Sequence, residues 1–373
     1  MEKRLKAVAI LVLVSILVAT LAGCAAEGPE GDTNGEQGVI FPDQNLEVAI
    51  RDAIDKSKGP ILTSDLEGLT FLSIPLKGPF RDLTGLEYCI NLTELDLGFN
   101  QITNISVLSN ITSLTVLNLE RNQIRDISAL SNLTNLTNLS LDVNHVSDIS
   151  PLSNLTKLIE LELMGNLIND FSPLANLINL TKLNLTGTEI GDISVLSQLT
   201  SLAELDLGSI LLTGMKISDI SPLANLTALT RLVLSGNQIS DLSPLSNLTK
   251  LTVLELHHNE ISDISPLANL TSLTELILTA NQISDVSPLA NLTNLINLGL
   301  PANQISNISP LANLTSLTRL NLWSNHISDI KPLVDNAGLS QGDSVDLRDN
   351  PLSAISINSY IPQLQDRGVT VDF

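Results

Sequence analysis

"SGNQISDLSPLSNLTKLTVLELHHNEISDISPLANLTSLTELIL", Ser235 to Leu278, states one phrase twice. Asn237 and Asn259 stand in the same slot, as do Pro244 and Pro266, so the period is 22 residues. Within the phrase, Leu254 and Leu256 alternate with period two and read as a short strand with both leucines turned inward. Asn259 then turns the chain; Asn tolerates a left-handed backbone, and its amide can satisfy backbone groups of the turn. Ile261 and Ile264 return to the interior. Ser265-Pro266 reads as a helix start, with Ser as the cap and Pro first, where a missing N–H is harmless. Leu267, Leu270 and Leu273 complete the apolar set. One coil cannot bury seven such side chains alone. Stacked coils can, at about 1.5–3 kcal/mol per Leu relative to exposure, with strands pairing in parallel about 4.8 Å apart.

The phrase recurs at Asn100, Asn122, Asn144 and Asn166, changes at Thr188 and Ile210, and resumes at Asn237, Asn259, Asn281, Asn303 and Asn325. Each full copy reads L-x-x-L-x-L-x-x-N-x-I-x-D-I-S-P-L-x-N. Over residues 69–350 this resembles the leucine-rich repeat in its 22-residue variety, as in bacterial internalins and in regulatory subunits of protein phosphatase-1. The resemblance implies an α/β solenoid: a horseshoe with a parallel sheet on its concave face and short 3-10 or irregular segments on its convex side. The repeats are expected over 69–335. An N-terminal helical cap is expected over 39–68, where Leu46, Ala49, Ile50 and Ile54 fall on one helical face. A C-terminal cap of helix and strand is expected over 336–373. Between Leu207 and Ile217 five residues are inserted, bringing an apolar group of Ile210, Leu211, Leu212 and Met215. It reads either as a tolerated loop or as a contact loop.

Composition bounds the rest. Hydrophobic residues make up 43% of the chain and aromatics only 2%, which fits one aliphatic core slot reused many times. The net charge of −21 repels phosphate backbones, so nucleic acid is not an expected partner. The N-terminus, "MEKRLKAVAILVLVSILVATLAGC", has a basic start and an apolar run from Ala7 to Leu21, the layout of a secretory signal over residues 1–23. Leu21-Ala22-Gly23-Cys24 resembles a bacterial lipobox. That resemblance implies cleavage before Cys24, lipidation of its thiol, and a protein held on the outer face of a bacterial membrane in the cell envelope. Residues 24–38, rich in Gly and Glu, read as a flexible acidic tether.

Catalytic chemistry is hard to place. No G-x-S-x-G, H-E-x-x-H, P-loop or dinucleotide fingerprint occurs, so no enzyme and no cofactor is expected. His145 and His326 fall in the variable slot after the turn Asn. His257 and His258 are neighbours at a strand exit, where side chains diverge, so a shared metal ion is not expected. Cys89 reads as a small buried hydrophobe. The column Asp126, Asp148, Asp170, Asp192, Asp219, Asp241, Asp263, Asp285 and Asp329 precedes each second Ile or its equivalent. It reads as local turn hydrogen bonding, and a calcium ladder would need a glycine-rich signature that is absent.

Internalins bind partners on the concave face, and the resemblance carries that role to the outward strand positions of this chain. Those singled out are Glu94, Asp96, Glu120, Asp142, Glu160, Glu162, Lys182, Arg231, Glu255, His257, Arg319 and Trp323. The N-terminal half of this face is acidic and the C-terminal half mixed. The acidic half reads as a solubilising face or as a docking patch for a basic partner or a divalent ion. Trp323 is the one large aromatic among these positions, so anchors of the Trp, Tyr and Arg kind are few. The expected function is therefore a lipid-anchored module binding protein or glycan at the cell surface. A structural envelope spacer is the alternative.

Overall fold

The computed structural model describes residues 37–74, 79–209 and 217–373. The signal segment, Cys24, nearly all of the tether and the apolar group Ile210–Met215 lie outside them. Gln37–Phe373 forms one compact unit with a single continuous aliphatic core, which is what independent folding requires.

A short antiparallel pair opens the unit: β1 (Gly38–Val39) against β2 (Ile61–Leu62). Between them runs α1 (Gln44–Ala53). Asp43 caps α1, its Oδ1 accepting from the N–H groups of Asn45 and Leu46, while its Oδ2 accepts from Arg81 N–H of the first coil. One carboxylate thus both starts the helix and ties it to the array. The helix buries Leu46, Ala49 and Ile50 over that coil. Gly85 has φ +103°, and a Cβ there would lie 2.6 Å from the Phe41 ring, so the cap's aromatic packs where only glycine fits.

The main sheet is all parallel and, among the described residues, has 14 strands in chain order. They are β3 (Phe71–Ser73), β4 (Glu94–Asp96), β5 (Val116–Asn118), β6 (Asn138–Ser140), β7 (Glu160–Glu162), β8 (Lys182–Asn184) and β9 (Glu204–Asp206). After these come β10 (Arg231–Val233), β11 (Val253–Glu255), β12 (Glu275–Ile277), β13 (Asn297–Gly299), β14 (Arg319–Asn321), β15 (Ser344–Asp346) and β16 (Thr370–Asp372). The pairing is in register with the repeat: Leu232 faces Leu254, which faces Leu276. The opposite side of the coils carries 3-10 turns such as Ser265–Leu267. The solenoid with a parallel sheet is the expected fold. The sheet continues beyond the repeats through β15 and β16, and α2 (Ile361–Asp366) buries Ile361 and Leu364 at that end.

Every apolar slot of the phrase is filled and dry. Leu254, Leu256, Ile261, Ile264, Leu267, Leu270 and Leu273 are all 1% exposed or less. Two local expectations are corrected. The residue with positive φ is the one before the turn Asn, not the Asn itself: Phe99, Arg121, Val143, Gly165, Gly236, His258, Ala280, Ala302 and Ser324, with Gly187 doing the same before Thr188. The Asn is instead a buried bridge. Asn281 Nδ2 donates to Leu278 O of its own turn and to Leu256 O of the preceding coil, and its Oδ1 accepts from Ile261 N of that coil. The other correction concerns Ser265, which does not cap. Asp263 Oδ1 accepts from Ser265 N at 2.8 Å and its Oδ2 from Ser265 Oγ at 2.9 Å. The whole Asp column accepts from the backbone N–H two residues on, from Asp126 on Ser128 N to Asp329 on Lys331 N, which is the local turn bonding expected of it. The bonds from Ser hold Asp126, Asp170, Asp192, Asp219 and Asp285 below the usual carboxylate range.

Candidate functional site: a charged hollow on the concave sheet

Three columns of side chains leave the concave sheet, one each from the first and third strand positions and one from two residues further on. Parallel register stacks each column at the strand spacing. The first column runs Glu160, Lys182, Glu204, Arg231 across β7 to β10, with the sign of charge alternating at every step. The third runs Glu120, Asp142, Met164, Thr186, with two carboxylates side by side.

Where these columns meet, a hollow of about 380 Å³ opens, lined by Glu120, Ser140, Asp142, Glu162, Lys182, Asn184, Glu204, Asp206 and Arg231 over Leu183 and Leu205. Asp142 is its most perturbed group. Burial pushes its pKa up to about 6, and the nearby Glu162 and Glu120 add to this. The N–H of Met164, donating to its Oδ1 at 2.7 Å, and the Lys182 charge act the other way. Lys182 Nζ lies 2.7 Å from Glu162 Oε1. That bond, reinforced by Glu160 and Glu204, holds the ammonium above its ordinary pKa. Arg231 is turned away to Glu255 Oε1 at 2.8 Å. Asp206 is anchored by Thr186 Oγ1 at 2.6 Å and by Gly208 N–H. The hollow is thus lined by five carboxylates, with one cation paired inside it and one paired at its edge.

The structure brings Glu120, Asp142, Glu162, Lys182 and Arg231 together. It leaves Glu94, Asp96 and Glu160 outside the hollow, and Asp96 Oδ2 is taken by Ser73 Oγ at 3.3 Å. Glu255 serves as the partner of Arg231. His257 packs edge-on against His258 at 5.6 Å between ring centroids; burial first, then the neighbouring imidazole, lowers its pKa. Arg319 lines a separate hollow of about 260 Å³ with Asp346 and Asp372. Trp323, 40% exposed, donates its indole N–H to Asp349 Oδ2 at 2.6 Å. Ser140 was missing from the outward positions expected to matter. Glu204 and Asp206 were among the outward strand positions but were not singled out, and their spacing in the phrase is the signal that would have found them. Cys89 is fully buried, and desolvation pushes its thiol up to about 12, so it is no nucleophile. Among the described residues no group of three or more His, Cys, Asp or Glu is arranged to hold a metal ion.

Parallel coils, an Asn bridge in each turn and an aliphatic core define a leucine-rich repeat protein, and family models agree. "Leucine Rich repeats (2 copies)" match residues 90–132, 134–176, 209–247, 249–291 and 293–335, and "Leucine Rich repeat" matches 176–197. An internalin, InlF of Listeria monocytogenes, is 39% identical over 90% of this chain and 96% of that one, with a TM-score of 0.83. The chain belongs to the leucine-rich repeat family, in its internalin-like branch. Two further solved structures share the fold. A leucine-rich repeat protein of Leptospira interrogans has 20% identity over 83% of this chain and 97% of that one, TM-score 0.64. The leucine-rich repeat ectodomain of the Arabidopsis thaliana membrane receptor kinase GASSHO1/SCHENGEN3, solved in complex with CASPARIAN STRIP INTEGRITY FACTOR 2, has 23% identity over 83% of this chain and 44% of that one, TM-score 0.60. No curated protein matches the chain.

Proposed function

We propose that the chain is a lipid-anchored, extracytoplasmic binding module that captures a protein partner through a basic segment seated in the concave hollow. The observation that supports this is Asp142. A half-buried carboxylate raised to about 6 beside Glu120 and Glu162 is unfavourable in the free protein, and a cation from a partner would relieve it. Core packing does not ask for these residues, since they face away from it. The lipobox-like Leu21-Ala22-Gly23-Cys24, outside the described residues, supports the anchor. Among the described residues no helix is long and apolar enough to cross a membrane.

The test compares two triple variants of equal charge change. Glu120→Gln, Glu162→Gln and Glu204→Gln neutralise the hollow. Asp241→Asn, Asp263→Asn and Asp285→Asn neutralise the turns but keep their acceptors. Titrated by calorimetry with a lysine-rich dodecapeptide at low salt, only the first should lose binding. Equal loss in both folded variants means that net charge alone attracts cations, and the concave site is then wrong.

A further inference from the structure

Among the described residues the array has a structural fault between the coil of β7 and the coil of β8. Where the coils before it, from Asn100 to Asn166, and those from Asn237 on carry a bridging Asn, Thr188 stands, and its Oγ1 donates to Leu185 O of its own turn at 2.8 Å. Asn166 accepts from Val146 N–H and donates to Leu141 O across the interface. Thr188, whose hydroxyl bonds within its own turn, has no equivalent of either bond among the described residues. On the preceding coil, that of β7, Phe171 occupies a slot that elsewhere holds Ile, Leu or Val. Those side chains, Ile149 and Ile193 on either side among them, are 1% exposed or less. The slot is sized for a four-carbon side chain, so the larger ring sits half out. Ile168 and Ile190, whose equivalents from Ile102 to Ile327 are 1% exposed or less, open to 7% and 5%.

A cleft of about 650 Å³ lies there, within the range of small-molecule sites. Its apolar wall is Ile168, Phe171, Ile190 and Val195, with the exposed Leu167 at the mouth. Asp170, Glu189 and Asp192 line it too, and no Lys, Arg or His does so among the described residues. Asp170 and Asp192 accept from the N–H groups of Ser172 and Ser194 at 2.9 Å, which fixes their carboxylates in place. Each keeps further lone pairs for a donor. An aliphatic wall beside fixed negative charges fits one kind of ligand.

We propose that this cleft is a second binding site, separate from the concave hollow, for an amphipathic organic cation: an ammonium group on an apolar or aromatic body. The missing Asn bridge is what makes room for it. Natural repeats of this chain show how to close it and how to discharge it. Asn at 188 would restore the bridge, and Asn already replaces Asp in the turn slot at Asn104 and Asn307, each accepting from the Ser N–H two residues on.

The experiment records methyl spectra of residues 37–373 titrated with phenethylamine, a cation at neutral pH, and with 2-phenylethanol, its neutral counterpart. Saturable shifts of the Ile168, Ile190 and Val195 methyls are expected with the amine, and about tenfold weaker binding of the alcohol. Thr188→Asn should raise the midpoint of thermal unfolding and abolish the shifts. The pair Asp170→Asn and Asp192→Asn should keep the fold and erase the preference for the amine. No saturable shift in the natural sequence, equal binding of amine and alcohol, or unchanged shifts in folded Thr188→Asn protein would each overturn the site. The concave triple Glu120→Gln, Glu162→Gln, Glu204→Gln should leave these shifts untouched.

Discussion

Replacing Asn259 with Ala tests what holds one coil to the next. Its Nδ2 donates to Leu234 O and Leu256 O at 3.0 Å, and its Oδ1 accepts from Ile239 N at 3.0 Å. Two of these three bonds reach the preceding coil. All three backbone groups sit in the dry interior of the turn. Ala strands the Ile239 N–H, while Leu234 O keeps its bond from Asn237 Nδ2 and Leu256 O its bond from Asn281 Nδ2. One stranded buried group costs about 1–3 kcal/mol, the two other lost bonds about 0.5–1.5 kcal/mol each, and water entering the new gap will relieve part of this, so a loss of about 2–4 kcal/mol is expected. Thr at the same position should cost less, because a hydroxyl keeps the bond within its own turn, as Thr188 does with Leu185 O. Urea unfolding followed by circular dichroism gives the stability of both variants. Hydrogen exchange of the Ile239 amide gives the local effect, which matters because a linear array can open at one interface while the rest stays folded. If Asn259→Ala loses less than about 1 kcal/mol and the Ile239 amide stays as slow as before, the Asn column is not what couples the coils.

Leu254→Ala removes a fully buried side chain and should cost about 2–5 kcal/mol in the same urea experiment. Asp142→Asn keeps an acceptor for Met164 N and removes the strained charge, so it should stabilise the protein at pH 7 while weakening cation binding. The folded pKa of Asp142, about 6, lies above the ordinary carboxylate value, so between those values the folded state holds more of the proton. Its contribution to stability is therefore present at low pH and lost as pH rises through about 6, and the Asn variant should flatten that part of the stability curve. Lys182→Gln should move the Asp142 midpoint above 6 in a carboxyl NMR titration, since the Lys182 charge lowers it. In cells, Cys24→Ser should shift the protein from the membrane to the soluble fraction, and unchanged fractionation would refute the lipid anchor.

Much of the fold is legible because the period is unambiguous: leucines two apart make a strand, and 22 residues later they must do so again. The turn was legible only in part. Asn and the residue before it both sit at the bend, and the Gly-Asn pairs at 165–166 and 236–237 mark which of them takes positive φ. Asp-Ile-Ser-Pro offers two capping oxygens, and sequence alone favours the serine nearest the proline. Geometry gives the cap to Asp, which accepts from Ser N–H two residues ahead. The two-residue strands β1 and β2 have no room for periodicity. The hollow was the least visible part. Which outward residues meet depends on diagonal contacts such as Lys182 with Glu162, one strand over and two residues along, and no single repeat contains both.

A stacked solenoid separates its two tasks. The inward positions must repeat, because each coil is the floor of the next; the outward positions need only avoid harm to their in-register neighbours. Like charges at one strand spacing repel, and unlike charges attract. The column Glu160, Lys182, Glu204, Arg231 follows that rule at every step. Glu120 and Asp142 break it, and the misfit shows as the raised pKa of Asp142. Thr188 and Phe171 break the inward rule in the same way, and the misfit shows as a cleft. Stability alone would favour an uncharged partner at 142, and Asn and Ile at 188 and 171, all of which this chain uses in equivalent slots of other coils. Sites that keep the less stable choice beside such alternatives are where binding is to be sought. The consensus-restoring change Thr188→Asn and the charge-removing change Asp142→Asn should therefore both stabilise the protein. Each should silence its own site and spare the other.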